Sequence, residues 1–135
     1  MKSLPEVNKA IVAWHYEKGI IDGATDQTQC LKMHEEFVEL FCACHPDLTM
    51  SQLFRLFNAN TARLYDKGKF APITEENSLE EKIDAVGDMY VVGMNILERN
   101  ETTLQKCLNG VFSIISKRKK GKVIDGSFVK ENSNV

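Results

Sequence analysis

Lys32, Glu35, Glu36 and Glu39 stand at helical spacing in the segment QCLKMHEEFVEL. On a helical wheel of about 100° per residue, Lys32, Glu36 and Glu39 share one side, with Glu35 beside them. Met33, Phe37, Leu40, Phe41 and Cys44 fall in a separate sector, the expected core face. A second acidic stripe lies in IDAVGDMYVVGMNIL, residues 83–97, where only Asp84, Asp88 and Asn95 are strongly polar. These three fall within about 40° of one another, and Glu81 extends the stripe. A helix apolar around nearly all its circumference is expected to be buried. Paired anions on it must face a strip of water or a partner, because buried like charges repel and lose their hydration. Glu36 and Glu39 (i, i+3) project from one face of their helix, and Asp84 and Asp88 (i, i+4) do the same on theirs. Two antiparallel helices with these stripes facing would form an all-carboxylate cage. Without histidine or cysteine ligands, such a cage suits Mg²⁺ or Mn²⁺ better than zinc. The chemistry it favours is attack at phosphorus. The alternative for each stripe is a solvated helix face.

Other chemistries are poorly represented. The four cysteines, Cys30, Cys42, Cys44 and Cys107, form no CxxC pair and read as buried free thiols. His15, His34 and His45 have neither HExxH nor Glu-x-x-His spacing, which argues against a zincin and a ferritin-like di-iron site. Lys117, Arg118, Lys119, Lys120 and Lys122 form a basic cluster. It either complements a helix C-terminus or clamps phosphate. With Lys+Arg 17 against Asp+Glu 19 and no aromatic within the cluster, no nucleic-acid partner is expected.

Five helical segments must position these residues, and no strand is expected. They run from about Glu6 to Lys18, Asp26 to Cys44, Ser51 to Tyr65, Ser78 to Arg99 and Glu101 to Lys119. Gly19 and Asp22-Gly23 break the chain after the first. Pro46 ends the second. Thr49 with Gln52, and Ser78 with Glu81, have capping spacing. From Gly121 the chain reads as a tail, extended or partly disordered alone. Short loops between long helices predict an all-α antiparallel bundle.

The chain has 135 residues, 43% hydrophobic and 27% charged, as expected of one ordinary globular domain over residues 1–120 with a tail over 121–135. No apolar run approaches the roughly 20 residues of a membrane span. MKSLPEVNKA lacks the apolar core of a secretion signal, so a cytoplasmic location is expected.

The ordered set of motifs resembles the MazG-like all-α nucleoside triphosphate pyrophosphohydrolases, in particular their short phage-type members. Glu35-Glu36-Phe37-Val38-Glu39 is similar to the family's EExxE, and Gln29 and Lys32 to the Q-x-x-K that leads into it. AWHYEKGIIDGATDQTQ resembles the phage-type entry segment. Asp84-Ala85-Val86-Gly87-Asp88, with Asn95 seven residues on, is similar to the second motif. GKVIDGSFVKE resembles the Gly-x-Phe-Val-Lys ending. The resemblance covers about residues 11–45, 80–97 and 111–131 and leaves out Pro46–Asn77. It departs at Ala85, where a metal-binding glutamate is usual: either Asp84 substitutes or the site has one ligand fewer. A literal ExxD also stands one turn earlier, at Glu81–Asp84.

The resemblance implies a MazG-like bundle whose site lies in a four-helix core completed by dimerisation, as a homodimer or homotetramer. It implies Mg²⁺-dependent conversion of a (deoxy)nucleoside triphosphate to the monophosphate and diphosphate, in nucleotide-pool control or house-cleaning, in a host cytoplasm if the chain is phage-encoded. Glu36, Glu39, Asp84 and Asp88 would hold the metal, with Mn²⁺ as a substitute. Glu35 would be a further ligand or orient water. Lys32, Arg118 and Lys119 would meet phosphate, although Lys32 equally serves to balance charge on its helix. Asn95 would bond base or sugar, or be a satisfied core amide. Trp14 would stack on a base, or serve as a core residue of its amphipathic helix, and Phe128-Val129-Lys130 would close over a site or dock on a neighbouring subunit. The alternative is a nucleotide- or alarmone-binding protein without turnover, or a helical interaction protein.

Overall fold

The computed structural model describes residues 1–118 and 121–130. It is mostly helical. The helices are α1 (Leu4–Glu17), α2 (Ile20–Gly23), α3 (Asp26–Ala43), α4 (Met50–Asp66), α5 (Ser78–Arg99) and α6 (Leu104–Ile115). A 3₁₀ turn, Glu75–Asn77, precedes α5, and strands β1 (Gly121–Ile124) and β2 (Ser127–Lys130) follow α6. No helix among the described residues is long and apolar enough to cross a membrane.

The helix ends follow from their caps. Ser3 accepts from the Glu6 amide while the Glu6 carboxylate accepts from the Ser3 amide at 2.8 Å, so α1 starts two residues before the expected Glu6. Gly19, at φ 70°, ends that segment, and the expected break beyond it contains the single turn α2. Thr49 and Gln52 form the expected capping box of α4. Ser78 does not cap α5. Its φ −57° and ψ −43° are already helical, because the 3₁₀ turn runs straight into it. Glu101 has φ 57°, which excludes it from α6; that helix starts instead behind Thr103, whose hydroxyl accepts from the Lys106 amide at 3.2 Å.

The described chain divides into two compact units, one of Met1–Cys30 with the chain from Ala85 onward, the other of Leu31–Asp84. In the first, α1 packs on α6 and α2. The Asn109 amide clasps the Lys2 peptide from both sides, accepting from its N–H at 3.0 Å and donating to its carbonyl at 2.9 Å. Trp14 Nε1 donates to the Ile115 carbonyl at 3.1 Å, satisfying an acceptor in the last turn of α6. Val7 and Ile20 are buried. In the second unit Phe57 of α4 meets His34, Phe37 and Phe41 of α3, with ring centroids 5.7, 5.8 and 5.2 Å away. His45 Nδ1 donates to the Phe41 carbonyl at 2.8 Å and so caps the end of α3.

The tail corrects the expectation of no strand. Over residues 121–130 it is an antiparallel hairpin in the register Gly121↔Lys130 to Ile124↔Ser127. Asp125 (φ 50°) and Gly126 (φ 77°) form its two-residue turn. Both residues need positive φ, the condition of a type I′ turn, which favours Asp-Gly. The hairpin lies on the first unit. The Gly126 carbonyl accepts from Thr28 Oγ1 at 3.1 Å and from Gln29 Nε2 at 3.2 Å. Phe128 stacks edge-on to Trp14 with centroids 5.5 Å apart. Val123 abuts Gly23 so closely that a Cβ on Gly23 would meet its methyls at 3.0–3.2 Å.

Two burial expectations also fail in the single chain. Phe41 is buried, but Met33, Phe37 and Leu40 of the expected core face are 44%, 53% and 39% exposed, and Cys44 is exposed as well. Every residue from Leu79 to Val92 on α5 is exposed. The cysteines are free as expected, yet Cys30 and Cys44 are exposed rather than buried.

Gly126→Ala tests what holds the hairpin. A Cβ there would collide with the Thr28 side chain at an unfavourable φ. The expected result is loss of amide protection over residues 121–130 and a red-shifted Trp14 fluorescence, with helical circular dichroism unchanged. A variant with wild-type protection would show that the hairpin does not depend on this contact.

Candidate functional site

The carboxylates of α3 stand on its solvent side. Lys32 Nζ lies 2.6 Å from Glu35 Oε2 and 3.7 Å from Glu36 Oε1, with both glutamates well exposed at 64% and 60%. The hydrogen bond that Lys32 donates to Glu35 raises the Lys32 amine above its ordinary value; desolvation opposes this, and the charges of Glu35, Glu36 and Glu39 add to it. One cation thus pairs with two neighbouring carboxylates, and the charge of Glu39, a turn further on, acts on it as well. That arrangement leaves net negative charge on the face and unshared carboxylate oxygens facing solvent.

On α5, Asp84, Asp88 and Asn95 are exposed, as is Ala85. Arg118 is half-buried just past the end of α6, in the first unit. Lys119 lies outside the described residues. Trp14 is half-buried, its indole N–H taken by Ile115 and its ring flanked by His15 at 5.2 Å and Phe128 at 5.5 Å. Any stacking on a ligand must therefore use what those neighbours leave open. The chain brings Lys32, Glu35, Glu36 and Glu39 together on one helix. Among the described residues, no group of three or more His, Cys, Asp or Glu side chains converges as a metal would need.

The first unit contains a cavity of about 360 Å³, lined by Val12, His15, Ile20, Ile21, Thr25 and Gln29 among others. Reading the sequence did not find it, because it depends on how α1, α2 and the first turn of α3 meet. The start of α3 is itself well fixed. Thr25 Oγ1 accepts from the Thr28 amide at 3.1 Å, and Thr28 Oγ1 accepts from the Thr25 amide at 2.9 Å.

Comparison of the chain with protein-family models, with curated proteins and with solved structures finds no match.

The Lys32 shift has a definite sign. A raised amine contributes stability that is present below the unfolded lysine value of 10.5 and is lost as pH rises through the folded value. Lys32 Nζ in wild type should titrate above the ordinary lysine value of 10.5 by NMR, and Glu35→Gln should return it toward that value. An unchanged midpoint in Glu35→Gln would remove Glu35 as the cause.

Proposed function

We propose that the chain is a Mg²⁺-dependent nucleoside triphosphate pyrophosphohydrolase whose site is completed by a second copy of the chain. The observation that carries this reading is the pairing, on α5, of Asp84 and Asp88 with an apolar surface exposed throughout Leu79–Val92. Covering the α5 surface with its counterpart would bring the aspartates into a drier setting, where anions need a cation.

The donor chemistry fits that cation: Glu36, Glu39, Asp84 and Asp88 supply only hard carboxylate oxygens. Because no complete ligand set gathers among the described residues of one chain, the second copy is part of the proposal. Bound Mg²⁺ would neutralise triphosphate charge and lower the pKa of a water. Glu35, hydrogen-bonded to Lys32, would orient that water toward the α-phosphorus. Lys32 and Arg118 would take phosphate oxygens, and Asn95 would bond the base or sugar. Ala85 keeps a second reading in view, a relative that binds nucleotides without turning them over.

The test is incubation with each common NTP and dNTP in Mg²⁺ or EDTA, resolving diphosphate from orthophosphate. Metal-dependent monophosphate and diphosphate are expected, and Glu39→Gln or Asp88→Asn should lower the rate by about 100-fold or more. Orthophosphate would mean attack at the γ-phosphorus and overturn the proposed chemistry. In sedimentation equilibrium the mass should be a multiple of 15.3 kDa, and Val91→Glu on the exposed α5 surface should reduce assembly. A monomeric wild type would overturn the shared site.

A further inference from the structure

The end of α4 lies in the stretch that the resemblance leaves out. Its last residues and the turn after them read Arg63-Leu64-Tyr65-Asp66-Lys67-Gly68-Lys69-Phe70. Gly68, at φ 76°, stops the helix. The Lys69 amide donates to the Leu64 carbonyl at 2.9 Å, and the Gly68 amide to the Tyr65 carbonyl at 3.0 Å. These are the two bonds of a Schellman cap, which turns the chain back on the last helical turn. Phe70 thereby returns to Tyr65, with ring centroids 6.3 Å apart and planes at 49°. Neither ring is used in the core: Tyr65 is 71% and Phe70 63% exposed. Arg63, Lys67 and Lys69, interleaved with the rings along the chain, are exposed as well. Arg63 donates one N–H to Asn60 Oδ1 at 2.6 Å. Neither Lys67 nor Lys69 forms an ion pair among the described residues. Cations at a helix C-terminus complement its dipole. That accounts for the charges but not for two aromatic rings held side by side in water, where each leaves its hydrophobic term unrealised.

We infer that this turn binds single-stranded nucleic acid, with bases stacked on Tyr65 and Phe70 and phosphates met by Arg63, Lys67 and Lys69. Exposed aromatic rings take any base by its π-face, and cations beside them follow the backbone. The net charge of −2 that argued against such a partner is an average over the whole chain; across residues 63–70 three cations stand against Asp66 alone. A lipid surface suits the stretch less well, because charged residues separate the two rings along the chain and no continuous apolar face results. The inference is independent of the hydrolase reading, which uses none of these residues.

The test is fluorescence anisotropy of the full chain with labelled oligo(dT) and oligo(U) of about twelve nucleotides, in EDTA so that metal-dependent turnover plays no part. Three phosphate contacts predict an affinity that falls about 20-fold between about 50 and about 200 mM salt. Tyr65→Leu and Phe70→Ala should each weaken binding about tenfold without changing the salt slope, and Tyr65→Phe, which keeps the ring, should bind as wild type. Joint Lys67→Gln and Lys69→Gln should flatten the salt dependence. Should Phe70→Ala lose helical circular dichroism, the comparison of Tyr65→Leu with Tyr65→Phe decides the matter, because both keep a large side chain on α4. Binding of either oligonucleotide in this pattern upholds the assignment, and the tighter one tells DNA from RNA. No binding at submillimolar protein would overturn it. So would binding unchanged in Tyr65→Leu, which would place the contact elsewhere on the chain. Adsorption to phosphatidylserine vesicles without oligonucleotide binding would overturn it in favour of a lipid surface. Self-association lost in Tyr65→Leu, again without oligonucleotide binding, would overturn it in favour of a second copy.

Discussion

Apolar surface left in water is the constraint from which the other features of this chain follow. Fully burying a Val, Leu, Ile or Met side chain is worth about 1.5–3 kcal/mol. Val7, Ile20 and Phe41 are the buried hydrophobic residues among those described, while Ile83, Val91 and Val92 on α5 are 65%, 67% and 61% exposed. Alpha-helical backbone satisfies its own hydrogen bonds, so α5 can form without a cover. It cannot recover the hydrophobic term without one. Under the proposed reading a second copy supplies that cover, and the residues that depend on it most closely are the aspartates set among the apolar ones.

The ion pairs on α3 belong to a different energetic class. Exposed pairs such as Lys32 with Glu35 and Glu36 are worth about 0–1 kcal/mol. Stability is therefore a poor account of why three carboxylates stand together there. Like charges on successive turns cost energy, and Lys32 offsets part of that cost by pairing with Glu35 and Glu36. A cation would offset the rest. The acidic face and the apolar face thus share one property: each is unfavourable as it stands, and under the proposed reading each is relieved by something outside the single chain.

The hairpin acts locally. Its turn carbonyl gathers Thr28 and Gln29 at the first turn of α3, and Phe128 meets Trp14, whose indole already caps α6. α1 and the first turn of α3 are therefore tied directly to the last described segment of the chain, and α6 through Trp14, within one unit.

Much of the helical layout was legible in the sequence. Capping patterns, proline and left-handed glycine act within four or five residues, and α3 and α4 lie within a residue or so of their expected bounds for that reason. Ser3–Glu6 was legible too, had the capping box been read before the apolar period. So was Asp125-Gly126, a strong two-residue hairpin signal flanked by Val123, Ile124, Phe128 and Val129. The grouping of Lys32, Glu35, Glu36 and Glu39 was set by helical periodicity alone, which is why the structure reproduces it. Burial was not legible. Amphipathic pattern states which face seeks cover, but whether the cover exists depends on elements distant in sequence, and on α5 the residues Leu79 to Val92 are exposed. The cavity and the polarity of Gln29 were likewise decided by tertiary structure. A glutamine amide has no preferred end until a specific acceptor faces it, and the Gly126 carbonyl comes from 97 residues away along the chain.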